Sequence, residues 1–273
     1  MDNSKYKGIK EASIIRVKDG DQKSVVDKII IEEPLEIRIK HRGRLSQVAV
    51  TMRTPGDDDD LALGFLFTEG IIQSTEDIII CATVDENVVE VGLSDKLTLP
   101  EGLLQRNTFM SSSCGICGKA SLDLIKTNTQ YLPWSSKVKV NLSIVTSLRS
   151  RLDDMDNMFS ITGGNHAVVL FDHNGNLLKT TEDVGRHNAM DKLIGSQLKV
   201  DSLPLASHIC LLSGRASFEL IQKAMMAGFG MVVSVGAPSS LAIDLAEEVG
   251  ITLLGFLKND GCNIYTGVER VIF

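Results

Sequence analysis

Ile209-Cys210-Leu211-Leu212, Met231-Val232-Val233-Ser234-Val235 and Ile251-Thr252-Leu253-Leu254-Gly255-Phe256 are three short apolar runs in the last third of the chain. Runs of this length, bounded by glycine and serine, predict strands buried on both faces. Two helical segments lie between them. One is opened by Ser213-Gly214-Arg215-Ala216-Ser217 and runs to Met226, where Gly228-Phe229-Gly230 stops it. The other is opened by Gly236-Ala237-Pro238-Ser239-Ser240 and runs from Leu241 to Val249, where Gly250 stops it. This alternation predicts a parallel β-α-β-α-β sheet whose ligands sit beyond the carboxyl ends of the strands. The loops there offer backbone N–H groups at helix starts, with Ser213, Arg215, Ser239 and Ser240 beside them, a natural setting for phosphate. Leu257-Lys258-Asn259-Asp260-Gly261 adds a cation and a turn after the third strand. No G-x-G-x-x-G follows a strand and no G-x-x-x-x-G-K-[ST] occurs, so neither a Rossmann dinucleotide site nor a P-loop is supported.

Upstream, Ala167-Val168-Val169-Leu170-Phe171 reads as a strand that turns at His173-Asn174-Gly175 and returns through Leu177-Leu178-Lys179. Thr162-Gly163-Gly164-Asn165-His166 leads into it. Glu182-Asp183-Val184-Gly185-Arg186-His187-Asn188-Ala189-Met190-Asp191-Lys192 follows and is dense in polar side chains. His187 could be a general base, a metal ligand or a satisfied buried imidazole. Arg186, Asp183 and Asp191 nearby favour a functional pocket. Residues 138–142 read as a strand, and 143–155 as a helix with Ile144, Leu148 and Leu152 on one side.

The first part of the chain predicts a small α+β unit. Residues 1–24 read as a loose polar arm with at most one short strand. Leu35-Glu36-Ile37-Arg38-Ile39 alternates at a strand's period, Arg42-Gly43-Arg44 turns, and Val48-Ala49-Val50-Thr51-Met52 returns. In Pro55-Gly56-Asp57-Asp58-Asp59-Asp60 one aspartate is expected to cap the following helix, the others sitting in its first turn. Glu69-Gly70-Ile71-Ile72 ends that helix. Ile78-Ile79-Ile80-Cys81-Ala82 and Val88-Val89-Glu90-Val91 form a strand pair that packs the Cys81 thiol. The boundary between the units is placed at residue 108, giving an N-terminal α+β region (1–108) and an α/β domain (109–273).

Ser111-Ser112-Ser113-Cys114-Gly115-Ile116-Cys117-Gly118-Lys119 holds two of the five cysteines. A thiol at a helix start near an ammonium can have its pKa lowered from ~8.5 into roughly the 3.5–7.5 range, making it a nucleophile at neutral pH. Cys114 and Cys117 are the candidate catalytic thiols. Half of a zinc site, or two ordinary buried thiols, are the other readings. No second C-x-x-C and no close His-His pair completes a zinc site, so no metal ligands are assigned. The cytosine-deaminase pattern of H-x-E followed by P-C-x-x-C is also absent.

An odd cysteine count without an apolar leader at Met1 predicts a reducing, cytoplasmic setting. A net charge of −7 argues against nucleic acid as partner, and no apolar run reaches the ~18–20 residues of a membrane span.

Together, four stretches resemble the FdhD family of formate dehydrogenase accessory sulfurtransferases. They are Arg53-Thr54-Pro55-Gly56-Asp57 with Ala62-Leu63-Gly64-Phe65 and Thr68-Glu69-Gly70-Ile71-Ile72; Cys114-Gly115-Ile116-Cys117; Thr162 to His166 with Glu182 to Asn188; and Ser213-Gly214-Arg215 through Gly255-Phe256. The resemblance spans nearly all of the chain beyond about residue 25, and the ordered combination is far more specific than C-x-x-C alone. It implies a sulfurtransferase that accepts persulfide sulfur from a cysteine desulfurase. The sulfur passes to a molybdenum (or tungsten) bis-guanine-dinucleotide cofactor, held as bound substrate, before formate dehydrogenase receives it. A GDP-like nucleotide could occupy the same site. The resemblance makes Cys114 the persulfide residue and Cys117 its assistant. It places cofactor binding on Phe256, Leu257, Lys258, Asn259, Asp260 and Gly261, where Asp260 sets a negative charge beside phosphate. Arg186, Arg215 and His187 join as anion partners and a proton-handling group. It also implies a cytidine-deaminase-like three-layer α/β/α domain and a homodimer. A non-catalytic cofactor chaperone and a zinc-stabilised nucleotide-binding module are the alternatives.

Overall fold

The computed structural model describes residues 8–99, 131, 138–155 and 158–273. The Cys114–Cys117 loop and the helix expected after it lie outside the described residues.

Six strands form the larger sheet: β8 (His166–Asp172), β9 (Leu177–Asp183), β10 (His208–Leu212), β11 (Met231–Ser234), β12 (Thr252–Lys258) and β13 (Gly261–Thr266). Their spatial order is β13-β12-β11-β10-β8-β9. As expected, β10, β11 and β12 are parallel, while β8 runs antiparallel to both β10 and β9, and β13 antiparallel to β12. Side chains alternate between two buried faces. Val168, Leu170, Cys210, Leu212, Val232 and Leu253 join one core, with α4 (Arg186–Lys199), α5 (Phe218–Met226) and α6 (Ser240–Val249). Val169, Phe171, Ile209, Leu211, Val233 and Leu254 join the other, covered by Val145, Leu148 and Leu152 of α2 (Leu142–Asp153). Helices therefore cover both faces of a mixed α/β sheet. Apolar residues at every position of these strands, not alternate ones, are the sequence consequence. Two short segments, β7 (Val140–Asn141) and β14 (Val271–Ile272), pair in parallel beside it. The short α3 (Met158–Thr162) precedes β8.

The N-terminal part carries a four-stranded sheet ordered β4-β3-β6-β5, from β3 (Glu33–His41), β4 (Arg44–Arg53), β5 (Ile78–Asp85) and β6 (Val88–Leu93). Helix α1 (Asp58–Thr68) packs between this sheet and α4. Its crossing with α4 is very close. A Cβ on Gly64 would lie 1.8 Å from the Asp191 carbonyl oxygen, and one on Gly195 only 1.9 Å from that of Asp60. Hydrogen at both positions lets the two backbones meet.

Two sequence expectations change. The N-terminal arm is not loose: β1 (Ile9–Lys18) and β2 (Asp21–Ile30) are ten-residue strands in a continuous antiparallel ladder. The Asp19-Gly20 turn, with φ of 53° and 90°, closes that hairpin and is a recognisable sequence signal for it. Nor does an aspartate side chain cap α1. Asp57 occupies the cap position with φ 54°, and its carbonyl accepts from Leu61 N–H. The three others do sit in the first turn, as expected, and their carboxylates also meet side chains: Asp58 meets Arg53 at 2.9 Å, Asp59 accepts from Thr83 Oγ1 at 3.0 Å, and Asp60 meets Lys199 Nζ at 2.8 Å.

Candidate functional site

Strand directions bring the polar segments to one edge. Because β8 is antiparallel to β10, His166 starts where Leu212 ends, and its pairing with Asp183 brings the end of β9 there too. Segments 183–187, 213–217, 235–240 and 256–261 thus leave the same rim. Hydrogen bonds knit these loops together: Ala167 N–H to Ser213 Oγ (2.9 Å), Gly236 N–H to the Gly214 carbonyl (2.9 Å), Ser239 N–H to the Ala216 carbonyl (3.0 Å), and Phe256 N–H to the Gly236 carbonyl (3.1 Å).

Much of the segment 182–192 is a buried latch. Asp183 is fully buried. Its Oδ1 accepts from Gly185 N–H (2.8 Å) and Asn188 Nδ2 (3.1 Å), and its Oδ2 accepts from Thr54 N–H (3.1 Å). Lys192 Nζ lies 2.8 Å from Asp183 Oδ2 and donates to the Thr54 carbonyl at 2.8 Å. Asn188 also donates to the Met52 carbonyl at 2.7 Å. The end of β4 is thereby tied to the start of α4, which holds that helix start, and Arg186 and His187 on it, in place.

Around the rim Arg186 and Arg215 both face solvent, as do Lys258 and Asp260 in the segment 256–261. Burial, then Arg186 and Arg215, lower the His166 imidazole below its usual range, against a pull from Asp183. Burial, followed by Arg186, Lys223 and His166, pushes His187 down to about 3. Both imidazoles are neutral at physiological pH. Helices α4 and α5 start without a side-chain cap, and uncapped helix starts favour an anion; at α4 the Asp183 carboxylate already accepts from Gly185 N–H. Helix α6 is different, since the Ser239 hydroxyl accepts from Ala242 N–H. Two guanidinium groups and two uncapped helix starts on one rim make a receptor suited to phosphate.

The sequence-predicted residues divide accordingly. Arg186, Arg215 and Ser240 are exposed on the rim, and His187 is buried just beneath it. The hydroxyls of Ser213 and Ser239 are engaged in holding the loops. In the segment 256–261, Leu257 is 2% exposed and sends its side chain into the second core, so it offers no side chain to the rim. Lys258, Asn259 and Asp260 are exposed around the β12–β13 turn, where Lys258 pairs with Gly261. Phe256 is exposed and has φ 52°, a conformation rare for a bulky side chain. It sits at an irregularity in the β12–β13 ladder and is pinned by its bond to Gly236. Cys114 and Cys117 lie outside the described residues.

Sequence reasoning missed Glu69, Glu219 and Lys223. Lys223 Nζ lies 2.9 Å from both Asp191 oxygens and from Thr68 Oγ1, beneath His187. A signal existed, because His187/Asp191 and Glu219/Lys223 each stand four residues apart and so share a helix face. Among the described residues no group of three or more His, Cys, Asp or Glu side chains is placed to hold a metal ion. None of the described helices is long and apolar enough to cross a membrane.

Comparison with known proteins agrees with this architecture. The chain is 46% identical over 268 residues to the sulfur carrier protein FdhD of Streptomyces coelicolor, covering 94% of each chain. It is 41% identical over 266 residues to the protein of the same name from Saccharolobus solfataricus, covering 96% of this chain and 98% of that one. A crystal structure described as a formate dehydrogenase accessory protein from Desulfotalea psychrophila shares the fold, with a TM-score of 0.74 at 22% identity over 97% of this chain and 99% of that one. The family model described as FdhD/NarQ matches residues 30–272, and the chain belongs to the FdhD/NarQ family.

Proposed function

We propose that this protein is a sulfur carrier for formate dehydrogenase. In this reading Cys114 takes persulfide sulfur from a cysteine desulfurase and passes it to the molybdenum or tungsten bis-guanine-dinucleotide cofactor. The relatives named sulfur carrier protein FdhD support the carrier role. The observation that carries the cofactor part is the convergence of Arg186, Arg215 and the two uncapped helix starts on one rim. A cofactor bearing several phosphates has the complementary charge. Phe256 and the segment 256–261 close one side of that rim.

The chemistry assigns a role to the second thiol. The terminal sulfur of a persulfide is two electrons short of sulfide. Cys117 thiol and the Cys114 persulfide together can convert a metal–oxo group to a metal–sulfido group, releasing one water and leaving a Cys114–Cys117 disulfide. Two thiol protons leave with the oxygen, and the disulfide takes the oxidising equivalents. A reductant of the thioredoxin class then resets the pair.

The larger sheet fits a cytidine-deaminase-like frame in this reading, with a strand hairpin followed by parallel crossover strands. Cytoplasmic location and a homodimer complete the proposal. Cys114→Ala is expected to abolish formate dehydrogenase activation while leaving the fold intact. Mass spectrometry after incubation with desulfurase and cysteine should show one added sulfur on Cys114 of the unaltered protein. Full activation by Cys114→Ala would overturn sulfur transfer and leave a cofactor chaperone.

A further inference from the structure

A carboxylate stands against the imidazole that follows Arg186. Glu219 Oε2, in the first turn of α5, lies 2.6 Å from His187 Nε2, in the first turn of α4. Lys223, one helical turn after Glu219, is committed to Asp191 and Thr68 at 2.9 Å and stands 3.9 Å from Glu69. Glu219 pairs with no described residue other than His187. The ring is 7% exposed, and its two nitrogens differ. Nε2 is fully enclosed, whereas Nδ1, which bonds to no described residue, is on the side still open to solvent. Arg186 and His166, both on the rim, stand near enough to act on the charge of this ring. The Glu219 oxygen lies off the axis of the ring N–H, and its side chain, 42% exposed, is free to turn into line.

Two bare lone pairs repel at such a distance, so a proton belongs between Glu219 and His187. Burial, Arg186, Lys223 and His166 all oppose charging the ring. That leaves a neutral imidazole whose single N–H can stand on either nitrogen. We propose that Glu219 is a positioning residue: it holds His187 as the Nε2–H tautomer and so presents the Nδ1 lone pair to the rim. Arg186, Arg215 and Lys258 on the rim are donors only, and this lone pair gives the site an acceptor among them. The tautomer stands on the contact alone, while its use rests on the sulfur-carrier reading above. In that reading two thiol protons end on the departing oxygen, and an arginine can neither take up nor release one. Nδ1 accepts one of them and passes it on. The ring is neutral before and after, and the other bonds and electrons of the transfer are unchanged. A ring whose charged form is disfavoured hands the proton on, and the carboxylate at Nε2 steadies it meanwhile.

Long-range proton–nitrogen NMR at neutral pH on the full-length protein, isotope-labelled in its histidine nitrogens, reads the tautomer directly, with His187→Asn identifying the signal. The unaltered protein should show His187 protonated at Nε2 and bare at Nδ1. A ring protonated at Nδ1 would overturn the inference. Glu219→Gln keeps a carbonyl acceptor and should keep the tautomer, whereas Glu219→Leu and Glu219→Ala remove the acceptor and should release it. Thermal unfolding midpoints establish which variants are folded. An unchanged tautomer in folded Glu219→Leu or Glu219→Ala would overturn the role of Glu219. Activation of formate dehydrogenase should fall at least about tenfold in Glu219→Leu and Glu219→Ala and stay within about threefold of the unaltered level in Glu219→Gln, because a misdirected imidazole is a poor proton carrier. Equal activation by all three would overturn the use of the lone pair. An unaltered protein that activates no formate dehydrogenase would overturn the carrier reading, while the spectrum alone still decides the tautomer.

Discussion

Lys192 and Asp183 form a fully enclosed ion pair, Nζ to Oδ2 2.8 Å, with side chains 2% and 0% exposed. Neither charge meets water, and each is also hydrogen-bonded to backbone on the other side of the β4–α4 junction. Such a pair contributes little net stability over an apolar substitute, but breaking it by removing one partner is costly. Its effect here is to fix where α4 begins relative to the 53–54 segment.

Lys192→Met should therefore destabilise the protein by about 3–5 kcal/mol, since it strands the Asp183 carboxylate. Urea unfolding followed by circular dichroism measures this. The double change Asp183→Asn/Lys192→Met should recover part of the loss. A single variant within about 0.5 kcal/mol of the unaltered protein would contradict the buried-pair account.

Gly64→Ala places a Cβ 1.8 Å from the Asp191 carbonyl oxygen, and Gly195→Ala places one 1.9 Å from that of Asp60. Both obstacles are helix backbone and neither can rotate away. Separating α1 from α4 would open the core between the two sheets, so each substitution should cost at least about 1–3 kcal/mol, the usual range for overpacking. Thermal unfolding midpoints report it. Gly261→Ala, where a Cβ meets nothing within 4 Å, serves as the contrasting control.

His187 has a folded pKa of about 3, against about 6.5 when unfolded. The unfolded chain binds the proton first as pH falls. The stabilising contribution of the neutral buried ring is thus complete above about pH 6.5 and declines steadily below it, toward pH 3. The slope is at most about 1.4 kcal/mol per pH unit. Glu69 and Asp191, whose carboxyl groups burial raises against the pull of Lys223, titrate with the opposite sign. Subtracting the curve of His187→Asn from that of the unaltered protein removes their common part. The difference should shrink between pH 7 and pH 5, and a flat difference would rule out the neutral buried ring.

Burial, aided by Asp59, pushes the Cys81 thiol up to about 12, and burial alone raises Cys210 and Cys262. These three hold little thiolate at neutral pH, and thiolate is the reactive form. Iodoacetamide at pH 7.5 should modify Cys114 and Cys117 at least about tenfold faster than Cys81 or Cys210. Peptide mapping by mass spectrometry reads the order. Cys210 leading would contradict the assignment of the reactive thiols.

The main sheet was legible in the sequence because its strands are buried on both faces. Ile209 to Leu212 and Met231 to Val235 are apolar at nearly every position, and glycines end each helix between them. The hairpins at 42–44 and 173–175 also follow from turn residues. Strand pair β1–β2 was legible only through Asp19-Gly20, because its side chains are mostly solvent-facing and carry little apolar pattern. The four aspartates show the limit of local reasoning. Three of them occupy the first turn of α1, where the helix dipole favours them, but their side-chain partners Arg53, Thr83 and Lys199 come from β4, β5 and the end of α4 and follow no local pattern.

For the site, the residues by themselves determined that the loops after β10, β11 and β12 would share an edge, since parallel strands joined by helices must present their carboxyl ends together. They also determined that Arg215 would stand on that edge. Only the tertiary structure divided the polar run 182–192 into two kinds of residue. Asp183, Asn188 and Lys192 turn inward to the backbone of residues 52–54, while Arg186 stays in solvent. It alone brought Glu69, Glu219 and Lys223 around His187. The reason is physical: hydrogen bonds and ion pairs between segments more than 100 residues apart leave no periodic trace in either segment, whereas a buried strand or a helix face repeats its requirement every few residues.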